Sequence, residues 1–186
     1  KRAFVVETMG RYCGYLALMG GLAGGAERVY LHETGISLGD LYHDMEWLRA
    51  SFKQGRRLFL GVRNELASEH YTTDFLARLL EEEGKDLFDV RQTVLGHIQQ
   101  GGAPTPFDRL LATRLVSRAL NLITSELEAD TSDGWYMGLV ESHVEQFPLA
   151  HMMEQVDPTF RRPKKQWWLQ LRPVVAAVSD QPVGAR

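Results

Sequence analysis

The chain has 186 residues, of which 44% are hydrophobic and 24% charged, a composition typical of one globular domain with at most a small appendage. A net charge of −3 argues against nucleic acid as a partner, since that would need a basic face, and no apolar run approaches the roughly 20 residues of a membrane span. The single cysteine, Cys13, excludes an intrachain disulfide and favours a reducing compartment, so we expect a cytoplasmic protein.

Predicted strands and helices alternate through the first 127 residues. Short apolar runs predict strands at 3–6, 28–31, 58–62 and 90–95. Helical patterns predict helices at 12–22, from the Ser37–Asp40 capping pair to Gly55, at 73–83 and at 107–127. The alternation implies an α/β fold whose mainly parallel sheet is covered by helices. A further apolar run at 135–140 predicts an added edge strand.

The composition changes after residue 146, so we expect an α/β domain over 1–146 and a helical C-terminal tail over 147–186 that packs on the same domain. The tail contains a short predicted helix at 150–155 and a helical pattern at 165–178. Pro173 predicts a kink or break in the second of these. The remaining expectations are a packing anchor at Trp167 and Trp168 and a frayed end at 179–186.

A polar loop follows the fourth predicted strand. It carries His97, Gln99 and Gln100, and the next helix begins with Thr105 as its N-cap and Pro106 in its first turn. In open α/β sheets, ligands bind where such loops gather, at the carboxyl ends of the strands. The residues alone favour a ligand site and a tight connection with a polar surface about equally.

Two other strand ends carry polar residues. Met9, Gly10 and Arg11 follow the first strand, where a glycine allows close approach and a helix N-terminus offers N–H groups to an anion. Glu65 follows the third strand, where an acidic residue is more often a solvated surface group. The glycines between 20 and 25 fit neither nucleotide-binding glycine pattern, and helix packing with a C-cap explains them better. Cys13 and the histidines lack metal-ligand spacing, so we predict no metal site.

Three segments resemble signatures of the 6-phosphofructokinase family. Residues 94–109, V-L-G-H-I-Q-Q-G-G-A-P-T-P-F-D-R, resemble the family's sugar-phosphate loop. V-V-E-T-M-G-R-Y-C-G at 5–14 and R-N-E at 63–65 match two further signatures in family order. The resemblance covers nearly the whole chain and implies the sugar-binding second domain of a phosphofructokinase half.

The resemblance also implies a binding site for phosphorylated fructose. Its residues would be Arg2, Met9, Gly10, Arg11, Glu65, Arg91, His97, Gln100 and Arg161. In the family, the matching Glu65 accepts hydrogen bonds from sugar hydroxyls, while the matches to Arg2 and Arg91 reach the phosphate from the neighbouring subunit. A site shared in this way implies a homo-oligomer. Arg63 receives no role beyond a structural one.

One position departs from the catalytic pattern of the family. Catalytic members carry arginine where this chain has Gln100, whereas regulatory halves of the duplicated eukaryotic enzymes have glutamine there. The chain also keeps Arg11, where many vertebrate regulatory halves have glycine. The resemblance therefore favours a regulatory half that binds the activator fructose 2,6-bisphosphate. The alternatives are the fructose 6-phosphate domain of a catalytic half and a structural half that binds nothing.

No catalytic residue is expected in this chain. The family's glycine-rich segment for ATP and Mg²⁺, and the T-I-D-N-D segment that supplies its catalytic aspartate, are both missing from these residues. Both would lie upstream of Lys1, as would the nucleotide domain. The resemblance implies a glycolytic parent enzyme that uses ATP and Mg²⁺, and a chain that binds neither and is inactive alone.

Overall fold

The structure is a computed structural model that describes residues 1–131 and 133–179. Its contacts divide the described chain into two compact units. The first comprises Lys1–Gly101 together with the segment from Gln166 onward, and the second comprises Gly102–Lys165. This division differs from the predicted boundary at residue 146. Of the predicted frayed end, only Ser179 is among the described residues.

The first unit is built on a four-stranded parallel sheet, which confirms the predicted α/β fold. The strands lie in the order β2-β3-β1-β4, so β1 is central and β2 and β4 form the edges. They are β1 (Arg2–Thr8), β2 (Arg28–Tyr30), β3 (Leu58–Asn64) and β4 (Asp89–Val94). The connecting helices are α1 (Tyr15–Ala23), α2 (Leu38–Lys53) and α3 (Thr73–Glu83).

Two apolar clusters cover the two faces of this sheet. On one face, Val5 and Phe59 are buried with the apolar sides of α2 and α3. On the other face, Val62 is buried with Leu18 of α1. Because successive side chains of a strand point to opposite faces, β3 contributes Phe59 to the first cluster and Val62 to the second.

The fourth strand is more exposed than the sequence predicts. The apolar residues at the end of the strand predicted at 90–95 are typical of a buried strand, but Val90 is the only buried residue of β4 and Val94 is 59% exposed. Side-chain exposure depends on what covers the two faces of a strand, and within the described residues Val90 is the β4 residue that belongs to an apolar cluster.

The C-terminal segment returns to the first unit. It forms a 3₁₀ turn, Trp167–Leu171, followed by α6 (Arg172–Val178). Pro173 lies in the first turn of α6, where its missing N–H is tolerated, and this confirms the predicted break. Trp168 is 5% exposed and packs edge-on against Tyr15, with ring centroids 5.2 Å apart. Trp167 is 51% exposed, so the predicted anchor is Trp168 alone.

The second unit contains one long helix and short local pairings. Its elements are α4 (Pro106–Ala129), β5 (Trp135–Val140), β6 (His143–Pro148), α5 (Leu149–Gln155), β7 (Val156–Asp157) and β8 (Arg162–Pro163). As predicted, Thr105 caps α4, and it forms a capping box with Asp108. The predicted strand at 135–140 is present as β5, but its predicted place at the edge of the parallel sheet is wrong, because it pairs with β6 in an antiparallel hairpin. The turn of this hairpin, Glu141-Ser142, has positive φ at both residues, which suits a two-residue connection.

Within the described ranges, no helix is both long enough and apolar enough to cross a membrane.

Candidate functional site

The loops after β1 and β4 are joined by a side chain at the carboxyl end of the sheet. The backbone N–H of Met9 donates to Oε1 of Gln99, with 3.1 Å between nitrogen and oxygen. The backbone pairing continues into the same region, since the N–H of Leu95 donates to the carbonyl of Glu7 at 3.0 Å. The turn that carries His97 is therefore fixed beside the loop that carries Arg11.

The carboxylate of Glu65 holds the same loop from the β3 side. Its Oε1 accepts from the N–H of Gly10 at 3.0 Å and from the N–H of Arg11 at 2.7 Å. We expected N–H groups near Gly10 to be available to an anionic ligand. The structure corrects this expectation, because both amides are satisfied by Glu65. Hydrogen bonds of this kind, to a charged acceptor, are among the stronger ones in proteins.

A second carboxylate occupies the start of α1. The N–H of Gly14 donates to both carboxylate oxygens of Glu33, at 2.9 and 3.0 Å. A negative charge is favourable there because the N-terminus of a helix carries partial positive charge. Glu33 follows β2, so the loops after β2, β3 and β4 each supply one acceptor to the backbone between Met9 and Gly14.

The backbone of this loop adopts conformations that restrict its sequence. Gly10 has φ +144°, and a Cβ atom added there would lie 2.6 Å from the carbonyl oxygen of Cys13. Only glycine fits such a position. Arg11 has φ +44°, an uncommon value for a residue with a side chain, and it is exposed. The outside hydrogen bonds at Gly10 and Arg11 stabilise this conformation.

Arg63 and Asn64 anchor the end of β3, and both are buried. Arg63 donates to Oε2 of Glu7 at 2.8 Å and to the backbone carbonyls of Glu65, Ser68 and Tyr71. Burial lowers the pKa of the Arg63 guanidinium, and the carboxylate of Glu7 opposes this shift. Asn64 donates to the carbonyl of Cys13 at 3.4 Å, which adds a contact to the loop after β1.

His97 and Gln100 lie in a 3₁₀ turn, Gly96–Gln100, where we expected an irregular loop. Both side chains are exposed. Gln99 lies between them in the turn and is the residue that contacts Met9. His97 and Gln100 therefore share a rigid support with the Arg11 loop.

Arg2 and Arg91 lie elsewhere on the first unit. Arg91 pairs with Phe4 across the β1–β4 ladder, and Arg2 precedes Phe4 by two residues, so both arginines lie on the same face of the sheet. Both are exposed. Arg2 is six residues before Thr8, which is about 20 Å along the strand at roughly 3.3 Å per residue. The structure does not bring Arg2 to the Arg11 loop of its own chain.

Arg161 belongs to the second unit. It lies in the turn between β7 and β8 with φ +51° and is exposed. The next residue, Arg162, lies over the ring of Phe160 at 4.6 Å.

Sequence reasoning missed Gln99 and Glu33 as parts of the site. Gln99 lies in the polar loop already singled out, but only the structure shows that its carbonyl oxygen accepts from Met9. Glu33 had a usable signal, because it is an acidic residue just beyond the carboxyl end of a predicted strand. Within residues 1–131 and 133–179, no group of three or more metal-ligating side chains is arranged to hold a metal ion.

Comparison with known proteins adds a family and several relatives. Residues 1–123 match the family model described as phosphofructokinase. The human platelet-type ATP-dependent 6-phosphofructokinase is 45% identical over 184 residues, which cover 94% of this chain and 24% of the relative. The human muscle-type enzyme is 43% identical over 185 residues, with the same two coverages. The chain thus spans about a quarter of the length of these curated relatives.

Solved structures of phosphofructokinases also superpose on this chain. Phosphofructokinase from Saccharomyces cerevisiae superposes with a TM-score of 0.88 and 32% identity, covering 96% of this chain and 25% of that one. Pichia pastoris phosphofructokinase in the T-state superposes with a TM-score of 0.85 and 29% identity, covering 97% of this chain and 22% of that one.

Proposed function

The chain belongs to the phosphofructokinase family, and from that premise we propose that it binds a phosphorylated fructose at the Arg11 loop, within the regulatory half of such an enzyme. The observation that carries the proposal is the junction of three strand ends. Gln99 and Glu65 fix the loop of Arg11 against the turn of His97 and Gln100. Polar side chains held this firmly on loops of a rigid sheet are suited to binding a small ligand.

Glu65 is the proposed contact for the sugar hydroxyls. Its hydrogen bonds within the described chain use Oε1, which leaves Oε2 as an acceptor with a fixed position. An ionised carboxylate only accepts hydrogen bonds, and a sugar hydroxyl donates one. Gly10 has no side chain, so the sugar would contact the backbone of Met9 and Gly10 directly.

Arg11 and His97 are the proposed phosphate contacts of the same chain. Both are exposed at this end of the sheet, and Arg11 forms no ion pair within the described residues. A guanidinium binds phosphate through parallel hydrogen bonds, and imidazole adds a donor. Gln100 supplies a neutral amide at the position where catalytic members of the family carry arginine.

The positions of Arg2 and Arg91 support a site shared between two copies of the chain. Both are exposed on one face of the β1–β4 ladder, and Arg2 is too far along β1 to reach its own Arg11 loop. We assign them to the phosphate of a neighbouring subunit, which makes the functional protein a homo-oligomer. Several cations must converge on a phosphorylated ligand, so such sharing would strengthen binding.

The preferred ligand in this proposal is the activator fructose 2,6-bisphosphate. Gln100 supports this choice, because losing one cation weakens the binding of a single phosphate at that corner. The parent enzyme would transfer the terminal phosphoryl group of ATP to fructose 6-phosphate, giving ADP and fructose 1,6-bisphosphate, a cytoplasmic reaction of glycolysis. The segments for ATP and Mg²⁺ are absent from this sequence, so its residues would supply binding and not the transfer.

Calorimetry on the intact protein tests the proposal. We expect fructose 2,6-bisphosphate to bind more tightly than fructose 6-phosphate, and Arg91→Ala to weaken binding by about 1.5–3 kcal/mol, the scale of a hydrogen bond to a charged group. Arg78→Ala is the matched control, since Arg78 is exposed on α3 and pairs with Asp74 one turn away. If neither sugar phosphate gives a heat of binding, the alternative of a structural half that binds nothing is favoured.

The choice between regulatory and catalytic halves needs an activity measurement. Arg161 remains a prediction from the family resemblance, and Arg161→Ala should abolish activation by the bisphosphate while leaving the maximal rate nearly unchanged. If Arg161→Ala instead removes turnover and leaves activation intact, the chain belongs to a catalytic half that binds fructose 6-phosphate.

A further inference from the structure

We infer that Arg63 is a positioning residue of the sugar-phosphate site, which acts through Glu65 to hold the Arg11 loop in its binding conformation. This inference deepens the proposed function and rests on it for the identity of the ligand. It concerns the first residue of the R-N-E segment, for which the family resemblance supplies no contact to the sugar.

Arg63 is nearly inaccessible, with 1% of its surface exposed, and so does not touch a ligand itself. Its guanidinium donates four hydrogen bonds to surrounding acceptors. Nη1 donates to the Glu7 carboxylate at 2.8 Å and to the carbonyl of Glu65 at 2.9 Å. Nη2 donates to the carbonyl of Ser68 at 2.6 Å, and Nε donates to that of Tyr71 at 3.2 Å.

These acceptors do more than neutralise a buried charge. The ion pair with Glu7 alone would compensate the cation, yet three of the four acceptors are carbonyls of the loop from Glu65 to Tyr71. The rigid, planar guanidinium offers five N–H donors, so it binds carbonyls at fixed positions in several directions, whereas a lysine ammonium is a compact charge with three donors. The guanidinium therefore fixes the path of the loop that begins with Glu65.

The path of that loop determines where the Glu65 carboxylate lies. With its carbonyl fixed by Arg63, Glu65 directs Oε1 to the amides of Gly10 and Arg11 at 3.0 and 2.7 Å. Arg11 has φ +44°, so its backbone depends on these outside bonds. The conformation of Arg11 thus depends on the position of Glu65, and the position of Glu65 depends on Arg63.

The decisive experiment compares Arg63→Lys with Arg49→Lys in the intact protein by hydrogen–deuterium exchange. Arg49 is the control, because it forms an exposed ion pair with Glu83 away from the site. In Arg63→Lys we expect the amides of Gly10 and Arg11 to exchange roughly tenfold faster, the ratio for losing about 1.4 kcal/mol of local stabilisation. The amides of Val5 and Val62 in the sheet should change much less. Arg49→Lys should alter neither set.

A uniform rise in exchange across the sheet and the loop would overturn the inference, because it would make Arg63 a general stabiliser of the fold. If Arg63→Lys does not fold, Glu7→Gln keeps the guanidinium but removes the charged acceptor that holds Nη1 in line with the carbonyl of Glu65. That variant should then loosen Gly10 and Arg11 selectively, and unchanged exchange there would also refute the positioning role.

Calorimetry separates this inference from the proposed function. Arg63→Lys should weaken fructose 2,6-bisphosphate binding roughly tenfold, while Arg49→Lys leaves it unchanged. If the unaltered protein binds no sugar phosphate, the proposed function fails while the exchange result still decides the role of Arg63. If the ligand binds normally to a folded Arg63→Lys variant, the positioning role fails while the proposed function stands.

Discussion

Gly14, the N-cap of α1, and Gly20, inside the same helix, test how tightly the Arg11 loop is packed. A Cβ atom at Gly14 would lie 2.7 Å from Cδ2 of Leu31 and 2.7 Å from Oε2 of Glu33, and Leu31 is fully buried. We therefore expect Gly14→Ala to lower the free energy of unfolding by about 1–3 kcal/mol, the usual range for overpacking. Gly20→Ala is the matched control.

At Gly20 an added Cβ meets no atom within 4 Å, and the residue lies inside α1. Gly20→Ala should raise the free energy of unfolding by about 0.5–1 kcal/mol through helix propensity. Urea unfolding of both variants measures these changes. Equal effects of the same sign at Gly14 and Gly20 would contradict the packing described at Gly14.

The loop after β1 also shows which features of single residues could be predicted from the sequence and which could not. The signature residues predict the candidate site, and the φ value and close contacts of Gly10 show why glycine is needed there. The hydrogen bonds that hold the loop could not be predicted. They join Met9 to Gln99, Gly10 to Glu65 and Gly14 to Glu33, and no local pattern reports which side chain meets which backbone amide across 90, 55 or 19 residues.

Among the elements, α4 has a pH-sensitive start. Hydrogen bonds from the hydroxyl and the backbone N–H of Thr105 lower the pKa of Asp108. A carboxyl whose pKa is lower in the folded state stabilises the fold above its unfolded pKa. That contribution is lost as the pH falls through the folded pKa, which lies below the ordinary value of an aspartate. The first turn of α4 should therefore loosen in acid.

The measurement compares the unfolding of the intact protein with that of Asp108→Asn between pH 6 and pH 3. The variant should lose the part of the pH dependence that comes from this carboxyl, because asparagine does not titrate. An unchanged pH dependence in Asp108→Asn would show that the capping box makes no such contribution.

Elements with strong local signals were predicted best. Helix α3 was predicted at 73–83 and lies at Thr73–Glu83, and the caps at Ser37 and Thr105 are both present. Capping depends on residues three apart, so the sequence suffices. The exposure of β4 and the hairpin pairing of β5 were missed, because burial and pairing depend on which distant segment lies alongside.

For the whole first unit, the C-terminal segment completes one face of the sheet. Trp168 is buried with Leu18 and Val62, whereas its neighbour Trp167 is half exposed. Trp168→Ala should lower the free energy of unfolding by about 3–5 kcal/mol, the range for removing a large aromatic side chain from a core. Trp167→Ala should cost far less.

Equilibrium unfolding in urea measures both tryptophan variants. A large loss from Trp167→Ala, or a negligible one from Trp168→Ala, would mean that the C-terminal segment does not cover the sheet as described. The boundary at residue 146 was predicted from a change in composition, whereas the compact units depend on packing between residues far apart in sequence.

The strand order also determines when the strands of the sheet can pair during synthesis of the chain. β1 is made first but lies in the middle of the sheet, pairing with β3 from Leu58 and with β4 from Asp89. A ribosome adds roughly 5–20 residues each second, so both hydrogen-bonding edges of β1 stay open for several seconds of synthesis. Trp168 and Val175 emerge later still, and the cluster around α1 is completed only then. β1, which supports the Arg11 loop in the folded protein, is thus the strand that stays unpaired for longest during synthesis.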